Sequence, residues 1–261
     1  MNILVCMKQV QDNAVAPKLD PATGRVVTQG VETMVSPFDL NALEAGLKLA
    51  EEHGGEVSVL AMGDEESKIT LRIGLSMGAE KAYLVSDPAL EDSDPWATAY
   101  TLAKAISSIG TFDVILCGKQ AIDDDAGQVG AGIAEQLGIS QISYVNEIRE
   151  ATADSLTAKR VAPTGEEVVQ AALPVLLTCE KSLNEPRYAT LKRTRMANRM
   201  EIPVLDCAAI GADTAKVGKN SPSTVQKRYM PAPRQSGELL RGNAEEIGKL
   251  AVVKLVEQKV I

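Results

Sequence analysis

Four short apolar runs separated by helical patterns predict an α/β fold on a mostly parallel, doubly wound sheet. The runs are Ile3–Met7, Val57–Met62, Lys81–Val85 and Asp113–Cys117, each of strand length. Between them the apolar spacing turns helical at Asp39–Glu52, Glu65–Met77 and Pro95–Ser108. Strand alternating with helix is the pattern of a parallel sheet covered on both faces. After Gly138 the rhythm changes to short extended segments with little helix between, which predicts flanking antiparallel strands. The chain then closes with an extended arm ending in a helix.

The opening strand leads into a long loop, Gln11 to Val35, carrying Pro17, Pro21 and Gly24. A loop of that length inside a compact domain usually has a function. In the helix from Asp39, Leu40, Leu43, Leu47 and Ala50 recur at helical spacing, and Gly54-Gly55 end it. His53, the sole histidine, falls in the last turn, where it suits the helix macrodipole and needs no catalytic role. The run to Cys117 is followed by a polar, glycine-containing loop and a helical pattern from Gly132 to Leu137. Ser143–Arg149, Ser155–Val161, Glu167–Ala172 and Val175–Thr178 read as the antiparallel strands. Tyr188 to Met200 reads as a helix beginning beyond Pro186. Asp206 to Gly237, rich in Pro, Gly, Ser and Ala, reads as the arm, and Glu245 to Gln258 as its amphipathic helix. An arm of this kind suits a partner chain to lie on.

Composition narrows the function classes. A chain of 261 residues can bury a substantial core. A net charge of −8 argues against general nucleic-acid binding, and 3% aromatic residues against a base-stacking surface. Lys181, Arg187, Lys192, Arg193, Arg195 and Arg199 nevertheless crowd one stretch, a local basic surface in an acidic protein. The four cysteines form no CxxC or Cys/His metal pattern, and Cys6, Cys117 and Cys179 adjoin apolar runs as core thiols do. No stretch has the length of a membrane span. With a strand at the very start, the expected address is bacterial cytoplasm, ahead of the mitochondrial matrix.

The segment Cys117-Gly118-Lys119-Gln120-Ala121-Ile122-Asp123-Asp124-Asp125-Ala126-Gly127-Gln128-Val129-Gly130 carries the chemistry. A strand that ends in glycine and a helix start is where open α/β sheets bind ligands, and the helix N–H groups favour a phosphate. Three successive aspartates oppose an anion unless they cap the helix or accept from ribose hydroxyls. They could also offer oxygen ligands to Mg²⁺, although consecutive side chains rarely point together. Neither GxxxxGK[ST] nor GxGxxG occurs, and no acid, base or nucleophile presents itself. The chain is therefore expected to bind a nucleotide without being an enzyme, its chemistry supplied by a cofactor.

The stretch from Gly118 to Gly130 closely resembles the nucleotide-binding loop of electron transfer flavoprotein β subunits. Leu183-Asn184-Glu185-Pro186-Arg187-Tyr188-Ala189-Thr190-Leu191 resembles that subunit's partner-docking loop, and the opening Met1 to Val10 and Ser36-Pro37-Phe38-Asp39 are also similar. The resemblance implies an αβ heterodimer that accepts electrons from dehydrogenases such as acyl-CoA dehydrogenases and passes them to a quinone-linked oxidoreductase or other acceptor. It implies FAD held mainly by the α subunit, with AMP, or a second FAD in bifurcating members, in this chain. Carried over, the nucleotide site comprises Cys6, Ser36, Pro37, Phe38, Asp39, Met62 and Gly118 to Val129. Backbone at Cys6 and Met62 is expected to receive adenine, and Gln128 and Val129 the phosphate. Leu191 is expected to enter an apolar pocket of the dehydrogenase, within a docking region at 183–199. Residues 1–205 are expected to form the adenine-nucleotide-binding domain, and 206–261 an arm and helix packing on the α subunit.

Two positions depart from the family. Arg160-Val161 stands where Arg-Glu is common, and the Glu helps regulate flavin-domain motion there. Pro95 in Asp94-Pro95-Trp96-Ala97-Thr98 replaces a Thr or Ser of bifurcating members. Proline offers neither hydroxyl nor N–H, which favours AMP. Gln128-Val129-Gly130 and the Ser221-Pro222 region, in contrast, resemble bifurcating relatives. A stand-alone nucleotide-sensing signalling protein is the competing class, but leaves the docking loop and arm unexplained. An ATP-hydrolysing or adenylating enzyme is a third, weakened by the missing P-loop.

Overall fold

A nine-stranded sheet organises the computed structural model, which describes residues 1–12, 14, 16–27, 30–232 and 237–261. In chain order its elements begin with β1 (Asn2–Cys6), β2 (Gln9–Gln11), β3 (Thr33–Val35), α1 (Pro37–His53) and β4 (Glu56–Met62). They continue with α2 (Lys68–Met77), β5 (Lys81–Val85), α3 (Pro95–Ile109), β6 (Val114–Gly118) and α4 (Val129–Leu137). Then come β7 (Ser140–Ala151), β8 (Ser155–Ala162), β9 (Gly165–Ala172), β10 (Val175–Cys179), α5 (Leu191–Ala197), β11 (Val204–Leu205) and α6 (Ala244–Glu257). The expected loop Gln11–Val35 includes residues 13, 15, 28 and 29, and the expected arm includes 233–236; these positions lie outside the described residues.

The sheet order is β11-β5-β4-β1-β6-β10-β7-β8-β9. From β11 to β7 each neighbouring pair is parallel, and β8 and β9 extend the sheet by antiparallel pairing. The strand alternation sorts the core into two layers. Ile3 and Val5 face the layer built with Leu43 and Leu47 of α1 and Leu71 and Leu75 of α2. Leu4 and Cys6 face the other, with Ala99, Leu102 and Ile106 of α3 and Ile133 of α4. The sheet is thus doubly wound, and its order turns outward in both directions from the β1–β6 pair.

Local signals set the helix ends. Pro37 and Pro95 start α1 and α3 at their first turns, where the missing N–H costs nothing. Gly54 and Gly138 end α1 and α4 with φ of 70° and 65°, a region glycine enters without strain.

Several expectations need correction. Val175–Thr178 is not a flanking antiparallel strand: as β10 it is inserted, parallel, between β6 and β7. The helix expected over Tyr188–Met200 is confined to Leu191–Ala197, because the Thr190 side chain accepts from Arg193 N and fixes the start there. The first turn expected from Glu65 is 3₁₀, and α4 begins at Val129, three residues before the periodic pattern. Residues 206–227 belong to the first compact unit, Met1–Lys227, with Cys207, Ile210 and Val217 buried. The second unit, Arg228–Ile261, contains α6, begun by a capping box between Asn243 and Glu246. Along α6, Leu250, Val252, Val253 and Val256 are exposed. No helix among the described residues is long and apolar enough to cross a membrane.

Candidate nucleotide site

The last residues of β1, β4 and β6, namely Cys6, Met62 and Gly118, open into one cavity of about 340 Å³. It lies at the carboxyl edge of the sheet where the strand order reverses, the place at which open α/β sheets bind ligands. Its apolar wall includes Leu60, Met62, Leu90 and Leu102, and the loop after β6 with the start of α4 closes another side.

Asp39 bridges the residues just after β1 and the end of β6 beneath it. The side chain is buried; Oδ2 accepts from Lys8 N at 2.8 Å, and Oδ1 accepts from Gly118 N at 2.9 Å. Burial pushes its carboxyl up to about 7, against the pull of those two N–H groups and of the Lys8 charge. Only glycine fits above it: a Cβ at Gly118 would stand 2.4 Å from Asp39 Oδ1 and 2.7 Å from Phe38 Cβ. At Gly130 a Cβ would stand 2.7 Å from Thr178 Cγ2, so α4 approaches β10 more closely than alanine permits.

The loop folds through two left-handed residues, Asp125 at φ 50° and Gly127 at φ 62°. Gln120 Nε2 donates to Asp125 Oδ1 at 2.7 Å, and Asp125 N donates to Ala121 O at 2.9 Å. Lys8 Nζ meets Asp123 at 2.8 Å and Asp124 at 3.3 Å. Burial opposes the charge on Lys8, but its bonds to these two aspartates raise its pKa above the ordinary value. The expectation that aspartates cap the following helix is therefore corrected. Gln128 is the N-cap of α4 and no side chain caps it, so the first N–H groups, at Val129 and Gly130 on the cavity wall, keep their capacity for an anion. At the start of α3 fewer donors remain. Pro95 has no N–H, and Ala97 N and Thr98 N donate to Asp94.

Most expected residues line the cavity: Cys6, Asp39, Met62, Gly118 to Ala121, Asp124, and Ala126 to Val129. Ser36, Pro37, Phe38, Ile122, Asp123 and Asp125 do not. Ser36 is fully buried with no partner for its hydroxyl among the described residues, and Pro37 begins α1. Phe38 instead stacks under Lys119, whose Nζ lies 5.6 Å from its ring centroid and pairs with Glu180 at 3.0 Å. Asp123 and Asp125 hold the loop from outside. Met7, Lys8, Leu60, Leu90, Ser93 and Thr98 were not anticipated. Met7 and Lys8 directly follow Cys6 at the strand end, a signal that was available; the others are distinguished only once the facing side of each element is known.

The four cysteines are buried and free. A hydrogen bond with Cys6, then burial, push the Cys117 thiol well above its ordinary range, and burial does the same to Cys179.

The expected docking residues form a separate feature. Leu183 ends a 3₁₀ turn and is partly buried against the core, while Asn184 and Arg187 bond to α1. Glu185 and Pro186 lie between these two tethers. Tyr188 is 97% exposed and Leu191 80%. The two features can hold, respectively, a nucleotide-like anion with an apolar body and a second macromolecule.

Among known proteins, the electron transfer flavoprotein domain matches residues 23–210. The electron transfer flavoprotein subunit beta of Megasphaera elsdenii is 45% identical over the whole of both chains. The caffeyl-CoA reductase–Etf complex subunit CarD of Acetobacterium woodii is 39% identical, also over the whole of both. Protein FixA of Azorhizobium caulinodans is 40% identical over 90% of this chain and 86% of its own.

Proposed function

The chain belongs to the electron transfer flavoprotein family, among its β subunits, and from that premise we propose a role in three parts. It pairs with an α subunit that holds most of the FAD, keeps AMP in its own cavity as a structural nucleotide, and docks a dehydrogenase through residues 183–191. The electron donor is an acyl-CoA dehydrogenase or a similar flavin dehydrogenase, and the acceptor a quinone-linked or other oxidoreductase. FAD, when bound, supplies the electron transfer. This chain's residues bind, orient and exclude water, and the subunit is a carrier rather than a catalyst.

The uncapped start of α4 at the strand-order reversal is the observation that carries the nucleotide assignment. Val129 and Gly130 offer backbone donors to the phosphate, with Lys8 and Lys119 on the cavity wall. Leu60, Met62, Leu90 and Leu102 suit the adenine ring, whose polar edge finds backbone at Cys6 and Met62. The start of α4 is taken as the phosphate seat in preference to that of α3, where Pro95 lacks an N–H and Asp94 already accepts from Ala97 N. The arm and α6 are assigned to the α subunit, on which the exposed apolar side chains of α6 would be covered.

A second reading, FAD in place of AMP, is favoured by the likeness to a subunit of a caffeyl-CoA reductase–Etf complex. Counting the nucleotides released from the purified αβ heterodimer decides between them. One FAD and one AMP support the proposal; two FAD and no AMP refute it in favour of the second reading. FAD alone would mean that the cavity holds no nucleotide at all.

A further inference from the structure

The segment assigned to docking is held from beneath by buried polar groups. Asn41, 2% exposed, donates from Nδ2 to Asn184 O at 2.7 Å, with Lys181 O at 3.2 Å, and its backbone oxygen accepts from Asn184 Nδ2 at 3.0 Å. Nearly one turn along α1, Glu44, 3% exposed, accepts from Arg187 N at 3.1 Å, Nε at 2.8 Å and Nη2 at 3.2 Å. Glu51 takes the outer side of the same guanidinium, Nη2 to Oε2 at 3.0 Å. Bonding to Glu51 and Glu44 raises the Arg187 pKa, so the charge is permanent. The helix that follows is pinned as well. Arg193 Nη1 donates to Gly78 O at 3.1 Å, and Arg72 Nη1 to Ala197 O at 2.6 Å.

Between these two sets of anchors the chain presents Tyr188 and Leu191 to solvent. Replacing a buried ion pair by apolar packing is often neutral or stabilising, so stability alone gives little reason for Glu44–Arg187. Fixed geometry does. Apolar side chains displayed on a loop already held in one conformation lose less freedom on binding than those on a loose one. The basic groups narrow the partner: Lys192, Arg195 and Arg199, with Met196, line a shallow groove on and just beyond α5. A complementary face has carboxylates around an apolar socket.

We propose that Asn41 and Glu44 are positioning residues for docking, holding Asn184 and Arg187 so that Tyr188 and Leu191 meet an apolar, carboxylate-ringed socket on an electron-donating protein. The inference rests on the docking role assigned above and deepens it.

The test uses the αβ heterodimer carrying Asn41→Ala, and separately the paired Glu44→Gln/Arg187→Gln change, which leaves no buried charge unopposed. Reduction by an acyl-CoA dehydrogenase is followed against heterodimer concentration, alongside backbone amide exchange and nucleotide content. KM for the heterodimer should rise roughly tenfold, equivalent to about 1.4 kcal/mol, with kcat and nucleotide content unchanged. Exchange across residues 183–191 should accelerate. Faster exchange with unchanged KM overturns the proposal, and so does unchanged exchange. Leu191→Ala, measured beside them, separates the two levels. If it also leaves KM unchanged, the docking assignment falls; if it alone raises KM, only the positioning inference falls.

Discussion

Replacing Asp39 by Asn should change how stability depends on pH, because the carboxylate is both buried and hydrogen-bonded. Its carboxyl is raised from 3.8 to about 7, with burial the leading cause. A carboxyl raised in the folded state contributes stability that is complete below pH 3.8 and is lost as pH rises to about 7. At about 1.4 kcal/mol per pH unit that interval corresponds to about 4 kcal/mol, of which roughly 3 falls between pH 5 and 7. Asparagine has no such dependence, but turns an NH₂ toward Lys8 N or Gly118 N, donor against donor. That leaves one buried N–H unsatisfied, at a cost of about 1–3 kcal/mol. Asp39→Asn should therefore be clearly less stable than wild type at pH 5, and the gap should close or reverse by pH 8. Urea midpoints of the two heterodimers across that range provide the assay, with nucleotide retention measured on the same samples. A gap that stays constant, or widens with rising pH, would refute the claim that burial outweighs the two N–H bonds.

Other perturbations separate the cavity from the docking loop. Leu191→Ala should slow reduction by the dehydrogenase while moving stability by less than about 0.5 kcal/mol, since the side chain is already exposed; transfer kinetics and urea midpoints check both halves. Gly118→Ala sets a methyl against Asp39 and Phe38, and overpacking of this kind typically costs about 1–3 kcal/mol; it should lower both the unfolding midpoint and the nucleotide content after gel filtration. Lys8→Met leaves Asp123 and Asp124 without their cation beside the phosphate seat, so nucleotide retention should fall, more so at low salt. Replacing Asp123 and Gln128 together should lower nucleotide retention and heterodimer stability, and unaltered nucleotide content would place the phosphate elsewhere.

Much of the fold was legible because a parallel sheet writes its strands as short apolar runs and its helices as periodic ones. Ile3–Met7 and Asp113–Cys117 each lie within one residue of the observed strand ends. Direction and neighbours were not legible in the same way. Val175–Thr178 has the composition of any buried strand, and its insertion between β6 and β7 depends on a crossover that no local residue announces. The shortened α5 was within reach, since Thr190 three residues before Arg193 is an N-cap pattern. At the site, glycines and strand ends marked the place, but the fate of the aspartates did not follow from their spacing. Lys8, more than a hundred positions away, bonds to two of them, and Asp125 serves the left-handed turn instead.

The same division bears on how the cavity and the exposed loop are held. A subunit whose chemistry resides in a bound cofactor needs precise placement more than acids or bases. Placement here converges on α1. Its first turn supplies Asp39, which ties the segment after β1 to the end of β6 beneath the cavity, and its next turns supply Asn41 and Glu44, which bond to Asn184 and Arg187 just before the exposed Tyr188 and Leu191. Lys119 links the two regions from the other side, donating its backbone N–H to Cys179 O and pairing through its side chain with Glu180, at the root of the Tyr188–Leu191 segment. Leu43 and Leu47 of the same helix are buried in the core, so the helix cannot shift without repacking against the sheet. The cavity and the exposed Tyr188–Leu191 segment thus share one support, so a substitution at Asp39 or Glu44 is expected to act through geometry.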